Sequence, residues 1–377
     1  MDELLKNNVL AAHAIVGAGS VTLASLLTYP LDTLKTLVQV GSGSGKQLST
    51  AQILDRVRIL SGTSGLYNGF GWSTLMRISG LGARFGVYEI LTAFHKDGRE
   101  DNYVSVPEAF TSGMVAGAME SLISSPFEII KVRKQVTSAS LIPSSRSVAE
   151  KSAVVPSIAR LLHGYTPDQK ALNHSVGLLS TLTSKHSNMI GALQEYPWMM
   201  TGSGRPPPVF HVRRPLDVIS LEGWGALWRG LRSGVVRDTI FGGVFFSLWQ
   251  FLHRAMLDWK AAGMDPSPRS DDEIGPLSPL GVSLAAGFSG SVAAAASHSF
   301  DTAKSRSQCI VLPKYISTER RLLKWKRPGR WYERYTGIHP SDRSLLHRGI
   351  WLRMGRSGVA SFLVVGSYFL AVDQLAR

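Results

Sequence analysis

The strongest constraint on this chain is that it repeats itself. Gly17–Gln39 (GAGSVTLASLLTYPLDTLKTLVQ), Gly113–Gln135 (GMVAGAMESLISSPFEIIKVRKQ) and Ala286–Gln308 (AGFSGSVAAAASHSFDTAKSRSQ) align without gaps over 23 residues. Each carries an acid, a lysine three residues on and a glutamine four beyond that: Asp32/Lys35/Gln39, Glu128/Lys131/Gln135 and Asp301/Lys304/Gln308. Steps of three and four keep each triplet on one stripe of a helix. Proline stands two residues before the acid in the first two copies, Pro30 and Pro126, where it is expected to kink the helix. Ser299 takes its place in the third. A second set of matches follows each triplet. The turns Tyr67-Asn-Gly69, Trp228-Arg-Gly230 and His347-Arg-Gly349 lead into further apolar stretches. Seventeen residues past each glycine comes a small residue (Gly86, Ser247, Gly366), and nineteen past comes an aromatic one (Tyr88, Trp249, Tyr368). Three copies in register mean one supersecondary unit used three times.

Between their charges these units are apolar. A bilayer-spanning helix needs about 20 mostly apolar residues, and Val9–Leu31, Ala109–Ser125, Leu277–Phe300 and Ser357–Val372 read as such spans. Ile78–Phe94, which contains Arg84 and Glu89, and Thr239–Leu252 complete a count of six. The chain of 377 residues has 41 Lys+Arg against 27 Asp+Glu, yet charged residues make up only 18% of it, below the roughly 25% of soluble domains. Basic and charge-poor together point away from a soluble nucleic-acid binder and towards a membrane protein with basic loops. Small residues crowd three spans (Gly17 and Gly19, Gly113 and Gly117, Gly287 and Gly290), a composition that lets helices approach closely in lipid.

Cys309 is the only cysteine, so an intramolecular disulfide and a cysteine-rich zinc site are excluded. No phosphate-binding loop, His-rich cluster or nucleophile motif is present; no enzymatic activity, cofactor or metal is expected. The expected architecture is an all-α membrane protein with six transmembrane helices in three pseudo-symmetric two-helix repeats, over residues 9–95, 106–258 and 277–377. The spacing between copies two and three exceeds that between one and two. The excess falls mainly in an insertion at about 136–212, rich in Ser, Pro and Gly, with a second, basic loop at about 310–345.

Pro30-Leu-Asp32-Thr-Leu-Lys35, Pro126-Phe-Glu128-Ile-Ile-Lys131 and Glu222-Gly223-Trp-Gly-Ala-Leu-Trp228-Arg229-Gly230 resemble the signature of the mitochondrial carrier family, and Ser61–Gly69 does so approximately. The third copy departs from it at Ser299, Asp342 and His347. The resemblance covers most of the chain outside the two insertions. It implies the mitochondrial carrier fold, a multi-pass place in the mitochondrial inner membrane, both insertions in the matrix and both termini on the other side. It implies a small-molecule substrate and a monomer, with no nucleic-acid partner. The basic loop is either a solvated face or a contact for inner-membrane lipid such as cardiolipin.

The resemblance also assigns roles. Charges inside a membrane are costly and mark a pathway. The pairs Asp32–Lys131, Glu128–Lys304 and Asp301–Lys35 would close the matrix end, braced by Gln39, Gln135 and Gln308; a static staple between helices is the alternative. An outer gate would use Tyr88 and Glu89, but Trp249-Gln250 and Tyr368-Phe369 lack the acid, and Thr92, His253 and Val372 stand where bases are expected.

Seven residues past the turn glycines lie Met76, Arg237 and Arg356, with Arg77 beside the first. Arg237-Asp238 resembles the contact pair of amino-acid carriers: guanidinium takes a carboxylate and aspartate an ammonium. Arg84, in Arg84-Phe-Gly-Val-Tyr88, resembles the second helix of dicarboxylate carriers. Glu120, off the stripe of Glu128, is expected to make an interhelical hydrogen bond. The resulting expectation is a secondary transporter exchanging solutes by alternating access (antiport), with an amino acid or related zwitterion as substrate and a dicarboxylate as the alternative. The rival from another class is a carrier fold retired from transport and reused as a scaffold or receptor, which Ser299, the sparse outer gate and the long insertion favour.

Overall fold

The computed structural model describes residues 9–40, 49–97, 103–139, 209, 212–264, 274–309, 311 and 346–376. The first repeat holds α1 (Val9–Val40), α2 (Thr50–Ser61), a 3-10 turn at Thr63–Tyr67 and α3 (Phe70–Lys96). The second holds α4 (Val106–Thr137), α5 (Pro215–Glu222), a 3-10 turn at Trp224–Trp228 and α6 (Leu231–Ala262). The third holds α7 (Pro279–Ala296), α8 (His298–Gln308) and α9 (Ile350–Ala376). No strand occurs among the described residues. Most of the 136–212 insertion and all but residue 311 of Pro313 to Arg343 and its flanks lie outside them.

Local chemistry explains the starts of these helices. Ser49 and Gln52 form a capping box at α2, and Ser105 with Glu108 does the same at α4. Gly69, Gly230 and Gly349 precede α3, α6 and α9 with φ of 91°, 81° and 75°, a conformation that disfavours any side chain. A Cβ at Gly69 would press on Lys134, one at Gly230 on Ser307, and one at Gly349 would touch Val38. Those three residues each precede the glutamine of the next repeat. Each turn therefore docks on the following copy, one on two, two on three and three on one. The long helices accordingly stand in chain order around a closed ring, with α9 returning to α1.

Glycine sets how tightly neighbours pack. A Cβ on Gly113 or Gly117 of α4 would overlap the backbone of Gly242 or Asp238 on α6, so these two helices meet backbone to backbone. Gly287 of α7 faces the Gly358 backbone of α9, and Gly290 faces the Ser361 side chain. Gly17 and Gly19 meet nothing within 4 Å, so the small face expected at the first span is not a helix contact.

The ring is apolar outside and polar inside. Leu23, Leu26 and Leu27 on α1, Ile90 and Phe94 on α3, Leu122 and Ile123 on α4, and Leu280, Leu284 and Phe288 on α7 are exposed. So continuous an apolar surface has no place in water and suits lipid. Asp32, Lys35, Gln39, Glu128, Lys131, Gln135, Asp301, Lys304 and Gln308 are all buried.

The two prolines and the serine that replaces them sit differently in their helices. α1 and α4 continue through Pro30 and Pro126. Pro126 lacks the N–H that would serve the Leu122 carbonyl; the Trp228 indole donates to that carbonyl instead, at 3.2 Å. Among the described residues, the break within a spanning helix falls in the copy without proline, at Ser297 between α7 and α8. The Ser297 hydroxyl donates back to the Ala293 carbonyl (2.8 Å) and accepts from Arg353 Nη2 (2.7 Å). Such side-chain bonds compete with the helical ladder.

Candidate functional site

α1, α4 and α8 bring their acids and lysines to one level inside the ring. Lys131 Nζ lies 2.5 Å from Asp32 Oδ2, Lys304 Nζ 2.5 Å from Glu128 Oε2, and Lys35 Nζ 2.8 Å from Asp301 Oδ2. Each pair joins one repeat to another, and no side chain in it is more than 7% exposed. A buried ion pair does little for stability when intact, but removing one partner strands a charge at a cost of about 3–5 kcal/mol.

Two glutamines complete two of the pairs. Gln135 Nε2 donates to Asp32 Oδ2 (3.0 Å) and Thr33 Oγ1 (3.3 Å), and Thr36 donates to its Oε1 (3.0 Å). Gln39 Nε2 donates to Asp301 Oδ2 (2.9 Å) and Thr302 Oγ1 (3.2 Å), and Ser305 donates to its Oε1 (3.2 Å). Gln308 does neither. It is fully buried, yet both amide atoms lack a hydrogen-bond partner. The expected brace on Glu128–Lys304 is absent, and the sequence gives the reason. A hydroxyl follows the acid and the lysine in repeats one and three (Thr33 and Thr36, Thr302 and Ser305), whereas repeat two has Ile129 and Val132.

Arg237, rather than Gln308, bonds Glu128. Its guanidinium meets Glu128 Oε1 (2.7 Å) and Oε2 (3.2 Å), Asp301 Oδ1 (3.1 Å), and both oxygens of Asp238 (2.8 and 2.9 Å). Asp238 is thus engaged by its own neighbour. Arg356 Nε lies 3.1 Å from Asp32 Oδ1. Arg353 Nε lies 3.7 Å from Asp301 Oδ2; it stands four residues past Gly349, where the other repeats have Ser73 and Gly234, so counting seven residues from the turn does not reach it. The connected cluster has six cations (Lys35, Lys131, Lys304, Arg237, Arg353, Arg356) and four carboxylates (Asp32, Glu128, Asp238, Asp301). Arg77 adds a further cation: it has no ion-pair partner among the described residues, and its buried Nε has no hydrogen-bond partner.

Further from the turns, Arg84 on α3 forms an ion pair with Glu120 on α4, and its guanidinium sits 4.7 Å over the Phe241 ring. Tyr88 stacks on Phe246 with centroids 3.7 Å apart, Trp249 stacks on His253, and the Tyr368 hydroxyl lies 2.9 Å from His13 Nδ1. Glu89 is exposed and has no ion-pair partner among the described residues. The Thr92 hydroxyl donates to the Tyr88 and Glu89 carbonyls. Aromatic packing recurs at this end.

A second ionic knot lies at the turn end of repeat two. Glu222 takes Arg133 Nη1 at 2.5 Å and also pairs with Arg229, while Arg133 Nε donates to the Gln308 carbonyl. The Glu222-Gly223 motif held the signal for it. Among the described residues, no cluster of His, Cys, Asp and Glu could hold a metal ion.

Residues 6–98 and 102–166 match the family model described as mitochondrial carrier protein. Over these two stretches the chain is similar to the mitochondrial carrier family. It is 33% identical to rat mitochondrial brown fat uncoupling protein 1 over 131 residues, 33% of this chain and 42% of the relative. It is 27% identical to a probable mitochondrial 2-oxoglutarate/malate carrier protein of Dictyostelium discoideum over 126 residues, 32% of this chain and 38% of that one. With mitochondrial substrate carrier family protein W of the same organism it shares 22% over 281 residues, 63% of this chain and 84% of the relative. The chain spans about two fifths of the length of the first of these relatives. The matches place it in the mitochondrial inner membrane. On length and composition, Ala11–Val40, Pro279–Ala296 and Ile350–Gln374 are apolar enough to cross one.

Proposed function

We propose that this carrier is a secondary transporter of small organic acids across the mitochondrial inner membrane, with the ring of Asp32, Glu128, Asp301 and their lysines as its matrix-side closure. The ring pairs cross between repeats, so opening that end requires each to separate and closing it lets each reform. The charge imbalance carries the substrate class. Among the described residues the ring cluster holds two more cations than carboxylates, and Arg77 stands apart from it without an ion-pair partner. Unbalanced charge in a low-dielectric interior favours an anionic guest. A dicarboxylate fits best, and one relative is named for 2-oxoglutarate and malate.

The amino-acid reading has one observation in its favour, the adjacency of Arg237 and Asp238. It requires Asp238 to leave the guanidinium that now holds it by two contacts. The scaffold reading rests on the acid-poor far end and predicts no uptake of any solute.

Liposomes carrying the purified protein and loaded with malate or with a mixture of amino acids test the three together. Labelled malate is expected to enter the malate-loaded vesicles faster than labelled amino acids enter theirs. Charge-assisted contacts contribute about 1.5–3 kcal/mol each, so Arg77→Ala should weaken apparent affinity for malate by tenfold or more. Uptake of amino acids alone would overturn the dicarboxylate assignment.

A further inference from the structure

The Arg84–Glu120 pair is not part of the ring. Glu120 precedes Glu128 by eight residues on α4, a rise of about 12 Å along the helix. Arg84 reaches it from α3, over a gap that exists because residue 80 is glycine: a Cβ there would press on Glu120 Cγ at 3.2 Å. The side chains are 8% and 16% exposed. On the far side, Phe241 covers the guanidinium, and Phe245, Phe246 and Tyr88 pack beyond it. On the ring side, the buried hydroxyls of Ser121 and Ser124 have no hydrogen-bond partner in the protein. Ser121 Oγ and Lys304 Nζ both border the space above Gly234. A line of polar groups thus runs from Glu120 to the ring, and unsatisfied buried hydroxyls of this kind suit water or a passing proton.

Glu120 faces Arg84 on α3, Asp238 and Arg237 on α6, and Lys304 on α8. An incoming carboxylate that takes Arg84 must displace the Glu120 carboxylate. Two carboxylates would then share one guanidinium in a largely buried site, and a buried carboxylate without its cation relieves the penalty by taking up a proton. We propose that Glu120 is a proton-carrying residue that couples solute entry to uptake of one proton. As solute carboxylate binds Arg84, Glu120 takes one proton from the compartment the solute enters from and goes from carboxylate to carboxylic acid. As the solute leaves on the other side, the acid releases that proton there and the Arg84–Glu120 pair reforms. One solute and one proton cross together, and the protein returns to its starting charge. The proposal rests on the transport reading above and adds a proton to it.

Vesicles containing the purified full-length protein, with membrane potential clamped by potassium and valinomycin, test this with labelled malate. An interior one pH unit more alkaline than the exterior should drive about tenfold accumulation if one proton accompanies each solute. Glu120→Gln, which keeps the size and loses the proton, should take up malate only to equal concentration on both sides, whatever its rate. Glu120→Asp retains an acid and should accumulate malate under the gradient. Thermal unfolding of each purified variant shows which are folded. If Glu120→Gln is not, the wild type and Glu120→Asp decide. Brisk malate exchange by the wild type with no accumulation under the pH gradient overturns the proton role and leaves the transport reading standing, as does accumulation by a folded Glu120→Gln. No malate uptake by the wild type under any gradient overturns the malate-transport reading and the proton role with it.

Discussion

The two ends of the helix ring are built from different forces. At the turn end, three carboxylates and three lysines pair across repeats, with Arg237, Arg353 and Arg356 added. At the other end, Tyr88 stacks on Phe246, Trp249 on His253, and Tyr368 bonds His13, while Glu89 stays exposed. Buried charge pairs are costly to separate one partner at a time, whereas an aromatic stack contributes about 0.5–1.5 kcal/mol beyond its buried area. The molecule therefore holds its turn end by electrostatics and the other end by modest packing, and the second should yield more readily.

The largest effect should come from stranding a charge in the ring. Lys131→Ala leaves Asp32 with Arg356 and Gln135 alone, a loss of about 3–5 kcal/mol, and malate uptake should fall at least a hundredfold. Exchanging the charges (Asp32→Lys with Lys131→Asp) should recover part of it; a double variant no better than Lys131→Ala would deny direct pairing. Next comes Arg237→Ala, which removes two contacts from Glu128 and both from Asp238. Charge-assisted bonds of this kind are worth about 1.5–3 kcal/mol, and a clear drop in thermal stability of the purified carrier should follow. Arg237→Lys should not restore it, because a lysine lacks the planar fork.

A smaller effect sharpens the contrast within the ring itself. Val132→Thr offers Gln308 Oε1 the hydroxyl that Thr36 and Ser305 supply to the other two glutamines. A satisfied hydrogen bond contributes about 1 kcal/mol, so the variant should melt slightly higher than the wild type. No gain would mean that Gln308 lies out of reach of residue 132. At the opposite end, Glu89→Gln should leave both uptake and melting temperature unchanged. A strong loss there would show that the aromatic end hides a charge pair in its working cycle.

The repeat register alone placed the six ring charges, because acid, lysine and glutamine at steps of three and four share one helical stripe whatever surrounds them. It also marked Gly69, Gly230 and Gly349 as turns, since their position relative to the triplets is itself repeated. The helix interruption at Ser297, held by Ala293 and Arg353, has no local signature in the sequence. What each arginine meets was decided only by tertiary structure. Arg237 spans from α6 to acids on α4 and α8, Arg353 reaches Asp301, and Arg84 finds Glu120, because long side chains settle on whatever carboxylate the packed ring brings near. The fate of Gln308 shows the same division. Its place on the stripe followed from spacing, but its lost hydrogen bonds depended on Ile129 and Val132, residues of another repeat that only the closed ring sets beside it.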